Sequence, residues 1–113
     1  MDKNSKVYLS GPITGTVDYK ERFKRVQREL WSQGFGFVIN PAEVISHTPF
    51  SQMRREEIMT ICYALMASCD TIYLLDGWRA SQGCREELAY AKAHGMRIEE
   101  EKHDDLENDR QAL

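Results

Sequence analysis

No apolar run in this chain approaches the roughly 20 residues a membrane span requires, and no signal-peptide-like apolar segment is present. The expectation is therefore a cytoplasmic protein with no membrane partner. Cysteine is scarce. Cys62, Cys69 and Cys84 are odd in number and include no CxxC pair, which reads as small, reduced core residues. His47, His94 and His103 are scattered without metal-ligand spacing, so neither a metal site nor a cofactor is expected. Basic residues are not in excess. A net charge of −3 gives no electrostatic case for a nucleic-acid polymer as partner. Internal repeats, linkers, a Walker A loop and a GxGxxG loop are also missing. What remains is 113 residues, 42% hydrophobic and 29% charged, the composition of one globular domain with a modest core.

After a polar lead, Lys6 to Ser10 (KVYLS) reads as a first strand. It stops at Gly11-Pro12-Ile13-Thr14-Gly15, where two glycines permit tight turning and close approach of a ligand to the backbone. A simple turn would use the same residues. The loop gains weight from joining a strand to a helix, where free backbone N–H groups can hold an anion. In that helix Tyr19, Phe23, Val26 and Leu30 recur at helical spacing, Trp31 extends the apolar face, and Gly34 suits the stop. Asp18 with Glu21 resembles a capping arrangement. Lys20, Arg22, Lys24, Arg25 and Arg28 alternate with Glu21 and Glu29, a mixed-sign face that reads as solvated.

Phe35 to Ile39 reads as a second strand ended by Asn40-Pro41. The stretch Ala42 to Phe50 is long enough to rim or cover a site, and Glu43 in it could touch a ligand. A second helix is expected from Thr48 or Ser51 to about Ser68, with Ile58, Ile61, Cys62, Leu65 and Cys69 inward and Met59 and Met66 filling gaps or meeting a partner subunit. Arg54 and Arg55 near its start could clamp an anion or simply be solvated.

The stretch Asp70 to Gly95 organises the rest. Ile72-Tyr73-Leu74-Leu75 is an apolar run of the kind buried on both faces of a sheet, broken by Asp76-Gly77-Trp78. Ser81 is a suitable N-cap for a helix whose stripe Cys84, Leu88, Ala91 and Gly95 faces the sheet. On that wheel Glu86 points to solvent, while Glu87 sits on the shoulder, aimed toward the end of the preceding strand. Glu87 has no Lys or Arg three or four places away, so a helical ion pair does not account for it. It is either a surface residue that suits a helix or a partly buried nucleophile or base. Met96 to Ile98 is a short further strand, and Glu99 to Leu113 an acidic tail or an exposed, subunit-docked helix.

Strands alternating with helices at these intervals predict an α/β domain, residues 1–98, with a mainly parallel sheet, followed by the acidic tail, residues 99–113. Crossover rules gather the ends of the first and third strands, bringing Tyr8, the glycine loop, Asp76, Ser81 and Glu87 to one edge.

Taken together, Val7 to Gly15, Asn40-Pro41-Ala42-Glu43, Cys69-Asp70 to Leu75-Asp76-Gly77-Trp78, and Ser81-x-Gly83-x-x-x-Glu87 resemble the DUF4406 family. This is a group of small bacterial and phage proteins in the nucleoside 2-deoxyribosyltransferase-like superfamily. The resemblance covers Lys6 to Ile98 and implies a flavodoxin-like, Rossmann-like three-layer sandwich that assembles as a homodimer or larger oligomer, with neighbours commonly completing the site. It also implies a nucleotide or nucleoside as small-molecule partner.

By position, the resemblance makes Glu87 the nucleophile that attacks C1′ of the sugar, as in a retaining glycosidase, and Tyr8 the residue that positions it. Ser81 and Gly83, with the loop Gly11, Pro12, Ile13, Thr14 and Gly15, would hold the substrate. The chain departs from the pattern where Pro12 and Thr14 stand in place of a Ser and an Arg of the phosphate loop. Cys62 stands where an Asp serves the leaving base, which leaves Asp76 or another group to supply the proton. The expected function is an N-glycosidase or deoxyribosyltransferase acting on a (deoxy)nucleotide. The alternatives are a non-catalytic nucleotide or nucleotide-sugar binding module and a glycosidase on NAD or an ADP-ribose-type ligand.

Overall fold

The computed structural model describes residues 1–47 and 49–101. Four strands, β1 (Lys6–Ser10), β2 (Phe37–Ile39), β3 (Thr71–Leu74) and β4 (Arg97–Glu100), form one all-parallel sheet in the order β2-β1-β3-β4. Helices α1 (Tyr19–Ser32), α2 (Pro41–Ser46), α3 (Arg55–Met66) and α4 (Gln82–Ala93) connect them. The expected α/β sandwich is what forms.

Strand alternation sorts the core into two halves. Val7 and Leu9 pack with Phe23, Val26 and Leu30 of α1 on one face. Tyr8, Ile72 and Leu74 pack with Cys62 and Met66 of α3 and Ala91 of α4 on the other. Because the chain leaves β1 toward β2 and leaves β3 toward β4, the direction of travel reverses between β1 and β3. That reversal opens a crevice at the carboxyl ends of the two strands, where open α/β sheets take ligands.

Several local expectations are corrected. Asp18 makes no side-chain cap on α1. Trp31 is 49% exposed, because the inward arc of α1 is already filled by Phe23, Val26, Gln27 and Leu30. Phe35 is buried but precedes β2, its N–H bonded back to the carbonyl of Leu30. The stretch after Asn40 is no open loop. Asn40 accepts from the N–H of Ala42 and Pro41 occupies the first turn, so a short helix starts at once.

Helix α3 starts at Arg55, after a 3₁₀ turn at Phe50–Gln52, and ends at Met66. Thr48 lies outside the described residues. The buried stripe of α3 is Met59, Cys62 and Met66, rotated from the one the sequence suggested, and Met66 is wholly in the core. Glu99 and Glu100, assigned by sequence to the tail, continue β4. The Glu101 N–H then bonds to the carbonyl of Leu74. The remainder of the expected tail, residues 102–113, lies outside the described residues. Among the described residues no helix is long and apolar enough to cross a membrane.

Candidate active site

Period-two alternation along β1 points Tyr8 and Ser10 to the same face, the one α4 covers. Ser81 caps α4 by accepting from the N–H of Cys84 at 3.3 Å, which fixes the helix's start beyond the end of β3. Glu87 is then carried over β1. The residue is 7% exposed, and its carboxylate takes one short hydrogen bond on each oxygen, from Tyr8 Oη to Oε2 at 2.5 Å and from Ser10 Oγ to Oε1 at 2.6 Å. The Cys62 thiol, reaching in from α3, interacts with both the Tyr8 hydroxyl and the Glu87 carboxylate. Among the described residues, Glu87's partners are thus hydroxyls and a thiol rather than a cation.

Burial raises the Glu87 pKa above its ordinary value, against the opposing hydrogen bonds from Ser10, Tyr8 and Cys62. Burial first, and the Glu87 charge second, push the Cys62 thiol up to about 12 and the Tyr8 phenol well above its usual range. Both remain protonated donors at neutral pH. A carboxylate held by donors on both oxygens, yet desolvated, is fixed in orientation and keeps its nucleophilicity.

Above Glu87 lies a cavity of about 780 Å³, within the range of small-molecule sites. Its walls differ in chemistry. Gly11, Pro12, Ile13, Thr14 and Thr16 line it with Arg22, Gly77 and the Ser81–Gly83 start of α4, offering hydroxyls, backbone N–H groups and a cation. Ile45 of α2, Met53, and Ile58 and Met59 of α3 add an apolar lining, with Arg55 also present, and Met59 comes close to Gly83. Ala80, Cys62, Cys84 and Glu87 complete the lining. Two glycines let the loops after β1 and β3 pack closely. A Cβ on Gly11 would come within 3.0 Å of Leu75 Cβ and 3.1 Å of the Phe23 ring. Gly77, at φ +86°, turns the chain after β3 against Pro12.

Of the residues singled out by sequence, Glu87, Tyr8, Ser81, Gly83, Gly11, Pro12, Ile13 and Thr14 converge here. Gly15, inside the turn that the Thr16 N–H closes on the Ile13 carbonyl, falls outside the lining. Asp76 is exposed and also outside the lining. Its N–H bonds to Glu101 Oε1 and its carbonyl to Arg22 Nη2. Glu86, expected in solvent, pairs with Arg55 across α3 and α4. Glu43 is exposed on α2.

Ser10 was not among the expected site residues, although its position two places after Tyr8 on one strand carries the signal. Arg22 was read as part of a solvated helix face. It reaches the cavity because its guanidinium reaches the Asp76 carbonyl, at 2.8 Å, where β3 ends. Among the described residues no group of three or more His, Cys, Asp or Glu is placed to hold a metal ion.

No curated protein and no solved structure matches the chain. A family model does, that of a domain of unknown function (DUF4406), over residues 5–100.

Proposed function

We propose that this chain, which belongs to the DUF4406 family over residues 5–100, is an N-glycosidase or deoxyribosyltransferase acting on a nucleotide, of the nucleoside 2-deoxyribosyltransferase-like kind. The observation that supports it is the Glu87 carboxylate, buried at the floor of the cavity and held on both oxygens by Tyr8 and Ser10. A structural carboxylate of this burial is expected to carry a cationic partner; one that must form and break a bond to carbon needs orientation without neutralisation.

A cavity lined by both apolar side chains and anion-binding groups suits a nucleotide. The base lies against the Ile45, Met53, Ile58 and Met59 wall and the sugar sits over Glu87. The 5′ phosphate meets the α4 N-terminus, the Ser81 and Thr14 hydroxyls and Arg22. Arg22 supplies, from α1, the cation that Thr14 cannot. Glu87 attacks C1′ as the C1′–N bond breaks, the oxocarbenium-like centre collapses to a glycosyl ester, and water or a second base then takes the sugar. A homodimer or larger assembly belongs to the same proposal and is read by sedimentation.

Chromatographic release of free base tests it, on a panel of nucleoside monophosphates, free nucleosides and NAD, with Glu87→Gln as control. Release from at least one class, abolished in the variant, is expected. No release from any class, with a nucleotide still raising the melting temperature, would make the chain a nucleotide-binding module instead.

A further inference from the structure

A glycosidase must deal with the leaving group as well as with the sugar, and the lining of this cavity is specific on that point. A neutral base departs as an anion unless a nearby acid protonates it, a service worth about 10²- to 10⁴-fold in rate. Among the described residues Glu87 contributes the only carboxyl to the lining, and it is the nucleophile. Asp76 lies outside the lining. The other acidic hydrogens beside Glu87 are those of the Tyr8 phenol and of the Cys62 and Cys84 thiols, all pushed up by burial first, Cys62 to about 12. They are matched to hydrogen bonding rather than to proton delivery at neutral pH.

The wall that faces the base adds a positive argument. Ile45, Met53, Ile58 and Met59 offer no donor to a developing anion, and the one charge beside them, Arg55, is already met by Glu86. Burying a separated charge against such a wall is costly. Eliminating charge is favoured there, for the same reason that Glu87 itself resists ionisation in this setting.

We infer, resting on the glycosidase reading above, that the site is built for N-glycosides whose leaving nitrogen is already cationic: a pyridinium such as that of NAD or its mononucleotide, or an N-alkylated purine nucleotide. In that step a Glu87 oxygen forms a bond to C1′ while the C1′–N bond breaks. Its electron pair passes to the ring nitrogen and cancels the positive charge. An anion and a cation become a neutral ester and a neutral base, and no proton is required. Water then adds to C1′, Glu87 leaves as carboxylate, and the water's proton passes to solvent. Arg22, held in the lining by the Asp76 carbonyl, is left to the phosphate.

The test compares matched leaving groups in the intact protein: guanosine monophosphate against its N7-methylated form, and nicotinamide mononucleotide and NAD beside adenosine monophosphate, with deoxy counterparts where they are stable. Release measured with Glu87→Gln is subtracted throughout. The expected result is kcat/KM at least about 100-fold higher for the cationic member of each pair. A Cys62→Asp variant, which places a carboxylic acid at the cavity wall, is expected to narrow that gap by raising release of the neutral bases. The wild-type comparison stands without the variant, should it fold poorly.

Equal release from neutral and cationic members overturns this inference and leaves the glycosidase reading intact. No release from either overturns both.

Discussion

Replacing Tyr8 by Phe isolates the physics of the Glu87 site. The change removes one oxygen from a wholly buried ring and leaves the packing against Ile72 and Leu74 in place. What is lost is the 2.5 Å hydrogen bond to Glu87 Oε2. A hydrogen bond to a charged group contributes about 1.5–3 kcal/mol. A loss of about 2 kcal/mol at neutral pH follows, which in a domain of this size lowers the melting temperature by about 8 °C.

The sign with pH is fixed by the same contact. The Tyr8 bond favours the ionised carboxyl, so its removal raises the Glu87 pKa further. The penalty is full where Glu87 is ionised in the parent protein and shrinks as falling pH protonates it in both. Thermal melts of the two proteins across pH 4–8 check this, with the Glu87 titration followed by carboxyl NMR. A melting temperature equal to the parent's at pH 7, or a loss that does not change with pH, would refute the reasoning.

Glu87→Gln should raise stability at neutral pH while abolishing turnover. A carboxyl whose pKa is raised on folding gives its full support below the unfolded value and loses it as pH rises through the folded value. The gain should therefore vanish in melts taken toward pH 4. Ser81→Ala removes the cap that accepts from the Cys84 N–H and should cost about 1 kcal/mol by denaturant titration. It should also weaken phosphate-dependent binding. Gly11→Ala drives a Cβ to 3.0 Å from Leu75 and against Phe23, and should cost about 1–3 kcal/mol, read as a lower denaturation midpoint. A melt superimposable on the parent's would contradict the close packing of that loop.

Much of the architecture is legible from residue order alone. The short apolar run Val7, Tyr8 and Leu9 ended by Gly11-Pro12 reads as a strand and the 3.6-residue spacing of Tyr19, Phe23, Val26 and Leu30 as a helix, and the short alternation of such segments predicts a mainly parallel sheet. The Glu87 placement follows from one helical wheel and one cap. The errors have a common source in tertiary context. The inward face of α3 is set by which side meets the sheet and α4, so of the expected stripe Cys62 is buried while Ile58, Leu65 and Cys69 pack only at its edge, and Met59 and Met66 take the buried places beside Cys62. Trp31 is apolar and at helical spacing, yet α1 had no remaining sheet surface to offer it. Arg22 shows the converse. A basic residue on a solvated helix becomes part of the cavity because the carbonyl of Asp76, 54 positions later, lies within its reach. No periodicity encodes that contact.

The central claim is that Glu87 forms a covalent bond to the sugar, and mass spectrometry of acid-quenched reactions tests it most directly. The account predicts one added glycosyl residue on the peptide that contains Glu87, formed and consumed during turnover and absent in Glu87→Gln. Base release that persists in Glu87→Gln, or an adduct found on Cys62 instead, would contradict it.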